Sequence, residues 1–218
     1  MLEFMAAVRD AGVDVPAAFG RDEQGRQATE FIPGDLALNI GPLGRPELKR
    51  VGSIVRAIHE ASERFRPSAE GAWITAIQAP GSDLICHNDL APWNLIVGER
   101  WVFIDWDAAA PSTRLWDLAY AAQAFTLSDV LRPPSKAAGD LAAFVDGYRA
   151  DTRLRHELPK AMHRRAAAMR DLLSRSHDTG VEPWASMFAD GHGSHWRAVT
   201  QYVGSHEQVW LRALLPVR

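Results

Sequence analysis

The run CHNDLAPWNLIVGERWVFIDWD, Cys86 to Asp107, sets one His, three Asp and two Asn into residues that otherwise read as buried β-structure. Polar side chains beside a core are costly unless each has a partner, so a chemical use is the natural explanation. Asn and Asp oxygens are hard ligands suited to Mg²⁺, which is usually held by one or two carboxylates together with substrate phosphates. A further carboxylate outside the ligand set can take the proton of a substrate hydroxyl.

Those side chains need elements that bring them together. Leu95 to Val97 and Arg100 to Ile104 read as two strands joined by Gly98 and Glu99, with glycine at the first central position of a type II′ turn. Such a hairpin brings Asn94 and Asp105 to one end. Asp89, five residues before Asn94 on a loop containing Pro92, folds back over that end. An H-x-D-x-x-x-x-N spacing followed by an Asp after a hairpin is the arrangement of phosphoryl-transfer sites; the residues are His87, Asp89, Asn94 and Asp105. A metal-dependent hydrolase using the same carboxylates is the weaker alternative.

Upstream, Leu2, Met5 and Val8 fall at helical spacing and Gly12 stops that helix. Two short extended pieces, AAFG and RQATEFI, flank the charged turn RDEQG, and PGD at 33–35 closes this small unit. From Pro46 the positions Leu48, Val51, Ile54, Val55, Ile58, Ala61 and Phe65 mark an amphipathic helix. After the central run the pattern is helical: from Arg114, from Asp140, from Met162 to Leu173, and along a last stripe of Trp196, Val199, Val203, His206, Trp210 and Leu214. Pro133, Pro134, Pro159 and Pro183 are expected to punctuate the connections. The organisation expected is an extended N-terminal piece, residues 1–35, and a helical body with a central hairpin, residues 36–218.

Composition sets the background. With 47% hydrophobic and 23% charged residues the 218-residue chain reads as an ordinary globular protein. A net charge of -3 offers no electrostatic case for nucleic acid. The single cysteine, Cys86, reads as a small buried hydrophobe and favours a reducing compartment. The charged first twenty residues lack the apolar block of a signal peptide, and no run is long enough to span a bilayer. A cytoplasmic location and no membrane partner are expected.

HNDLAPWNLIV, FIDWD and RLWDLAYA resemble the aminoglycoside phosphotransferase family, small-molecule kinases with a protein-kinase-like fold. VRDAGVDVPAAFG is similar to its N-lobe helix and following strand, and TEFIPGD to the hinge between lobes, so the resemblance covers about residues 2 to 120. It implies an α+β, protein-kinase-like two-lobe fold, with a reduced N-terminal β lobe and a mainly helical C-terminal lobe. It further implies transfer of a nucleotide γ-phosphate, from ATP or GTP, to a small-molecule hydroxyl. By position, Asp89 would orient or deprotonate the acceptor hydroxyl and His87 would brace the loop. Asn94 and Asp105 would hold Mg²⁺, the backbone around Glu30, Phe31 and Ile32 would meet the adenine edge, and Asp117 would brace the catalytic loop. Asp107 either faces the acceptor or is merely exposed.

The chain departs from that pattern at its start. Its lysines, Lys49, Lys136 and Lys160, all follow the hinge, and Gly12, Gly20 and Gly25 form no G-x-G-x-x-G. Three accounts stay open: a start inside the N-lobe, a kinase-like protein that binds without catalysing, or an arginine such as Arg9, Arg21 or Arg26 in the lysine's place, a swap that changes shape and hydration.

The remaining signals have ordinary readings. His192 and His195 lack a zinc ligand set and read as a loop and helix start, and His206 as a hydrogen-bonded core residue. The arginines of HRRAAAMRDLLSR read as a solvated helix face. The eight tryptophans read first as packing, although Trp93 and Trp106 flank the site and could contact substrate. Asp146, Glu157, Asp178, Glu182 and Asp190 would suit a cationic acceptor and are equally ordinary surface charges.

Overall fold

The computed structural model describes residues 1–67 and 73–215. Helix α1 (Leu2–Asp10) buries Phe4, Met5 and Val8 and ends before Gly12, whose φ of 89° closes the turn. Strands β1 (Ala18–Arg21) and β2 (Gln27–Thr29) form an antiparallel ribbon. The Asp22 carboxylate, accepting the amides of Gln24 and Arg26, fixes its turn. Helix α2 (Arg45–Glu63) opens on Pro46 and on the Glu47 side chain accepting the Gly44 amide at 2.6 Å.

The central run folds into two small sheets. In one, β5 (Leu95–Val97) lies between β3 (Asp35–Leu36) and β6 (Trp101–Phe103), all antiparallel, with Val97 opposite both Asp35 and Trp101. The hairpin loop is therefore Gly98, Glu99 and Arg100, closed by the Gly98 amide donating to the Arg100 carbonyl at 3.0 Å. The expected two-residue type II′ turn is not formed, and Gly98 has no positive φ. Gly98 is required by contact instead: a Cβ there would lie 2.8 Å from the Pro33 carbonyl oxygen. The second sheet pairs β4 (Leu84–Cys86) with β7 (Ala110–Ser112), Cys86 opposite Ala110. Its short strands, one containing Pro111, carry no alternation that the sequence reading could detect.

The helical body follows: α3 (Arg114–Thr126), α4 (Pro134–Tyr148), α5 (Thr152–Thr179), α6 (Trp184–Met187), a wide turn at Phe188–His192, α7 (Gly193–Ser205) and α8 (Glu207–Leu214). Helices α2 and α4 approach so closely at Gly52 and Gly147 that a Cβ on either would sit about 2 Å from a backbone oxygen, 2.1 Å from that of Phe144 and 2.0 Å from that of Lys49. The main core runs through this body and takes in Phe4, Met5, Val8 and Val15, with the Phe4 ring 5.2 Å from Phe65 and 5.7 Å from Trp106. A second, smaller cluster of Ile32, Ile96 and Val102 ties the expected hinge to the hairpin.

Two helix expectations are corrected. Pro159 does not break the chain; it is buried within α5, where packing of α3, α7 and α8 along the helix outweighs the roughly 3 kcal/mol that an interior proline costs. The last apolar stripe belongs to two helices, because the His206 ring takes the Tyr202 carbonyl at 2.8 Å and the chain turns there. Among the described residues no helix is long and apolar enough to cross a membrane.

Candidate functional site

Asp89 and Asn94 meet as the spacing implies. The Asn94 side-chain amide donates to the Asp89 carboxylate at 2.7 Å and to its backbone carbonyl at 3.0 Å. Both acceptors lie on one side of the Asn94 carboxamide, which fixes its orientation and leaves Oδ1 uncommitted. The Ile104 amide donates to the Asn94 carbonyl at 2.8 Å, joining the loop to the end of β6. The next residue, Asp105, adopts φ 57°. It is exposed, and its carboxylate makes no hydrogen bond or ion pair to the described residues. Asp107 is likewise exposed and unpaired among the described residues.

His87 is fully buried. Its Nδ1 accepts the Asp89 amide at 3.3 Å and its Nε2 donates to the Ile104 carbonyl at 3.2 Å, so the ring spans the loop and the strand end. Burial above all pushes its pKa below the usual histidine value, which keeps the imidazole neutral as this pattern requires. Trp106 packs on it with ring centroids 4.6 Å apart, and its indole donates to the Phe103 carbonyl. Trp106 is thus a core residue at 2% exposure; the expectation that it could touch substrate is corrected.

Behind the loop, Asn88 takes φ 65°, a conformation Asn tolerates better than most residues. Its side-chain amide donates to the carbonyls of Ala108 and Ala110, tying the loop to the segment after Asp105. The Asn88 backbone N–H donates to the buried Asp117 carboxylate at 2.9 Å. His59 Nε2 donates to the other Asp117 oxygen at 3.0 Å, while His59 Nδ1 accepts the Tyr148 hydroxyl, which in turn accepts Arg114. Burial pushes the Tyr148 phenol up to about 12, so it has the proton this chain needs. Cys86 lies beside His59 and Asp117. Both imidazole nitrogens are already used, and burial, then the Asp117 charge, raises the thiol well above its ordinary value. The trio is therefore packing and hydrogen bonding rather than a metal centre.

Asp89 opens onto a cavity of about 650 Å³. Trp93, Tyr120, Met169, Trp184, Met187 and Trp196 make most of its wall apolar, and Tyr120 and Trp196 stack at 6.2 Å. The buried Tyr120 phenol is pushed well up, by burial first and then by the Asp89 carboxylate it faces. His192, His195 and Asp190 also line this space, on the wide turn and the start of α7. Of the acidic residues considered for a cationic acceptor, Asp190 is the one that reaches it. Asp146 pairs with Arg155, Glu157 with Arg153, and Glu182 accepts Ser186.

Arg165 was missed. Expected on a solvated face, it is 6% exposed and lines the cavity, with its guanidinium 4.2 Å from the Tyr120 ring centre. The helical period of the segment places Arg165 with Met162 and Ala166 on the buried side of α5, a signal that the arginine count concealed.

At the expected hinge, the Glu30 amide donates to the Ala17 carbonyl and its carboxylate accepts Ala17 and Arg100. The amides and carbonyls of Phe31 and Ile32 make no hydrogen bond to the described residues. The three arginines weighed as lysine substitutes have local uses: Arg9 pairs with Glu30, Arg21 donates to the Gly25 carbonyl, and Arg26 pairs with Asp22.

Residues 66–158 match the model described as "Phosphotransferase enzyme family". This stretch is similar to that family. The match takes in the Asp89 loop, the hairpin, α3 and α4, and agrees with the resemblance carried by HNDLAPWNLIV, FIDWD and RLWDLAYA. The chain is 31% identical over 107 residues to the trifolitoxin immunity protein of Rhizobium leguminosarum bv. trifolii; the aligned part is 47% of this chain and 41% of that protein, about two-fifths of its length. Among solved structures, a microcompartment-associated aminopropanol kinase is similar with TM-score 0.63 and 16% identity, covering 97% of this chain and 82% of that one. An amicoumacin kinase in complex with AMP-PNP, Ca²⁺ and Ami gives 0.66 and 13%, covering 94% and 76%. A choline/ethanolamine kinase family protein from Mesorhizobium loti gives 0.57 and 17%, covering 97% and 81%. At these identities the likeness is one of fold, an α+β, kinase-like architecture that this chain shares with those structures.

Proposed function

We propose that this protein transfers the γ-phosphate of a nucleotide, ATP or GTP, to a hydroxyl of a small molecule held in the aromatic cavity. The observation that carries the reading is the placement of Asp89: it lines the cavity and is hydrogen-bonded to Asn94, with the unpaired Asp105 following a strand end tied to Asn94. The donor set suits Mg²⁺, since the Asn94 Oδ1 and the Asp105 carboxylate are hard oxygens without protein partners among the described residues. Bound there with a nucleotide, Mg²⁺ would neutralise charge on the phosphates.

Asp89 accepts the hydroxyl proton or orients that hydroxyl for in-line attack. Asn94 and Tyr120 hold its carboxylate, and neutral His87 positions its backbone. Residues 1–35 serve as the partial lobe that meets the nucleotide, where the uncommitted backbone of Phe31 and Ile32 and the Glu30 carbonyl face the adenine edge. Residues 36–218 carry the acceptor cavity and the catalytic loop.

A second reading, a kinase-like protein that binds without catalysing, is favoured by one observation. Arg9, Arg21 and Arg26, the cations weighed for the phosphates, are engaged locally. Nucleotide-diphosphate release, followed with a panel of hydroxylated small molecules on wild type and Asp89→Asn, separates the two. Acceptor-dependent release that falls on the order of a hundredfold or more in the variant supports transfer; no acceptor-dependent release from any pairing supports the silent reading.

A further inference from the structure

The cavity wall contains a cation that the packing does not fully use. Arg165 lies 6% exposed on α5. Its Nη2 makes one long hydrogen bond, 3.4 Å, to the Asn88 carbonyl, and its Nη1 has no hydrogen-bond partner among the described residues. It forms no ion pair with a carboxylate among them; the Asp117 and Asp89 charges favour it electrostatically without contact. A guanidinium does not escape burial by losing its proton, so an unpaired one is costly. The Tyr120 face at 4.2 Å and the Trp116 face at 5.8 Å offset part of that cost but supply no hydrogen-bond acceptor. The same side chain lines the space onto which Asp89 opens.

Resting on the phosphotransferase reading, we propose that the acceptor is an amphipathic molecule with an aromatic or bulky apolar body and a carboxylate that pairs with Arg165, its hydroxyl facing Asp89. Trp93, Trp184, Trp196, Met169 and Met187 receive the apolar body, which a polycationic sugar would leave unsatisfied. A second cation beside a buried guanidinium is repelled strongly, because the apolar wall screens charge poorly. A carboxylate presents planar oxygen acceptors that match the guanidinium fork. Asp190, exposed at the cavity rim, leaves room for a polar tail without setting the charge preference near Asp89.

The test uses three probes that share a naphthyl body and a hydroxyl: 3-(2-naphthyl)lactate, the neutral 3-(2-naphthyl)propane-1,2-diol, and the amine 2-naphthylalaninol. Binding is measured by calorimetry on the 218-residue chain. The lactate is expected to bind on the order of tenfold more tightly than the amine, with the diol between them. Arg165→Gln is expected to erase the gap with little change for the diol, and Arg165→Lys to restore part of it; a purely structural arginine would weaken all three together. Equal or tighter binding of the amine, a gap that survives Arg165→Gln, or no binding of any probe at millimolar concentration overturns the proposal. If Arg165→Gln does not fold, the order of the three probes on the wild-type chain decides. Mg²⁺-linked nucleotide binding is measured on the same samples. Its absence alone would count against the phosphotransferase reading and leave the probe order standing; a reversed order with intact nucleotide binding would overturn only the carboxylate preference.

Discussion

Asp117 offers the sharpest test of how the Asp89 loop is held. It is 1% exposed and accepts two hydrogen bonds, from the Asn88 amide at 2.9 Å and from His59 at 3.0 Å. Hydrogen bonds to a charged group are worth about 1.5–3 kcal/mol each. In Asp117→Asn, one oxygen still accepts the Asn88 amide while the new NH₂ faces His59, which changes tautomer to accept it and then competes with the Tyr148 hydroxyl proton. The loss is about one charge-assisted bond, roughly 1.5–3 kcal/mol. Asp117→Ala strands both donors and costs about 3–5 kcal/mol. With a urea m-value of about 2 kcal/mol/M, the unfolding midpoint should fall by roughly 1 M for Asn and about 2 M for Ala, read by the fluorescence of the eight tryptophans. A cycle with His59→Ala should show coupling, since the two side chains touch. A midpoint for Asp117→Ala within about 0.3 M of wild type, an energy too small for even one such bond at that m-value, would refute the claim that this carboxylate anchors the loop.

Gly147→Ala would place a Cβ 2.0 Å from the Lys49 carbonyl; overpacking of about 1–3 kcal/mol should lower Tm by roughly 2–12 °C in a domain of this size, and an unchanged melting curve would contradict the α2–α4 approach. Gly98→Ala would push against the Pro33 carbonyl at 2.8 Å, so nucleotide affinity should fall more than global stability does, measured by calorimetry and urea titration on one preparation. His87 is held neutral below its ordinary value of 6.5. Its unfolded form therefore binds a proton that the native form does not, and stability is full above that pH and declines as pH falls below it. Urea titrations at pH 7.0, 6.0 and 5.5 should show that decline, and a His87→Gln variant should show a smaller one.

The local geometry was legible where partners are close in the chain. Asp89 and Asn94, five residues apart, meet across one loop, and the hairpin ties Ile104, the neighbour of Asp105, to Asn94. The hairpin loop was misread because Gly98 fits two explanations, a turn needing positive φ and a close approach, and only the position of Pro33 decides between them. Arg165 and Tyr120 were hidden for a different reason. They reach the cavity from α5 and α3, and a period of 3.6 shows which side of a helix is buried without showing that it faces a cavity beside Asp89. The same holds for His59, which lies 58 residues from Asp117 and is joined to it by one hydrogen bond, whereas Asp117 itself was marked by the resemblance. Pro159 shows a propensity overruled by packing along both sides of a long helix.

The central claim, that Asn94 and Asp105 form the metal-nucleotide end of a phosphoryl-transfer site, is tested most directly by calorimetric titration of ATP and GTP with and without Mg²⁺, on wild type and Asp105→Ala. The account expects Mg²⁺ to strengthen binding of at least one nucleotide to the wild-type chain by on the order of tenfold or more, and expects that gain to vanish in Asp105→Ala while the unfolding midpoint stays put, because the Asp105 carboxylate has no protein partner among the described residues to lose. Nucleotide binding indifferent to Mg²⁺, or a Mg²⁺ effect that survives Asp105→Ala, would contradict it.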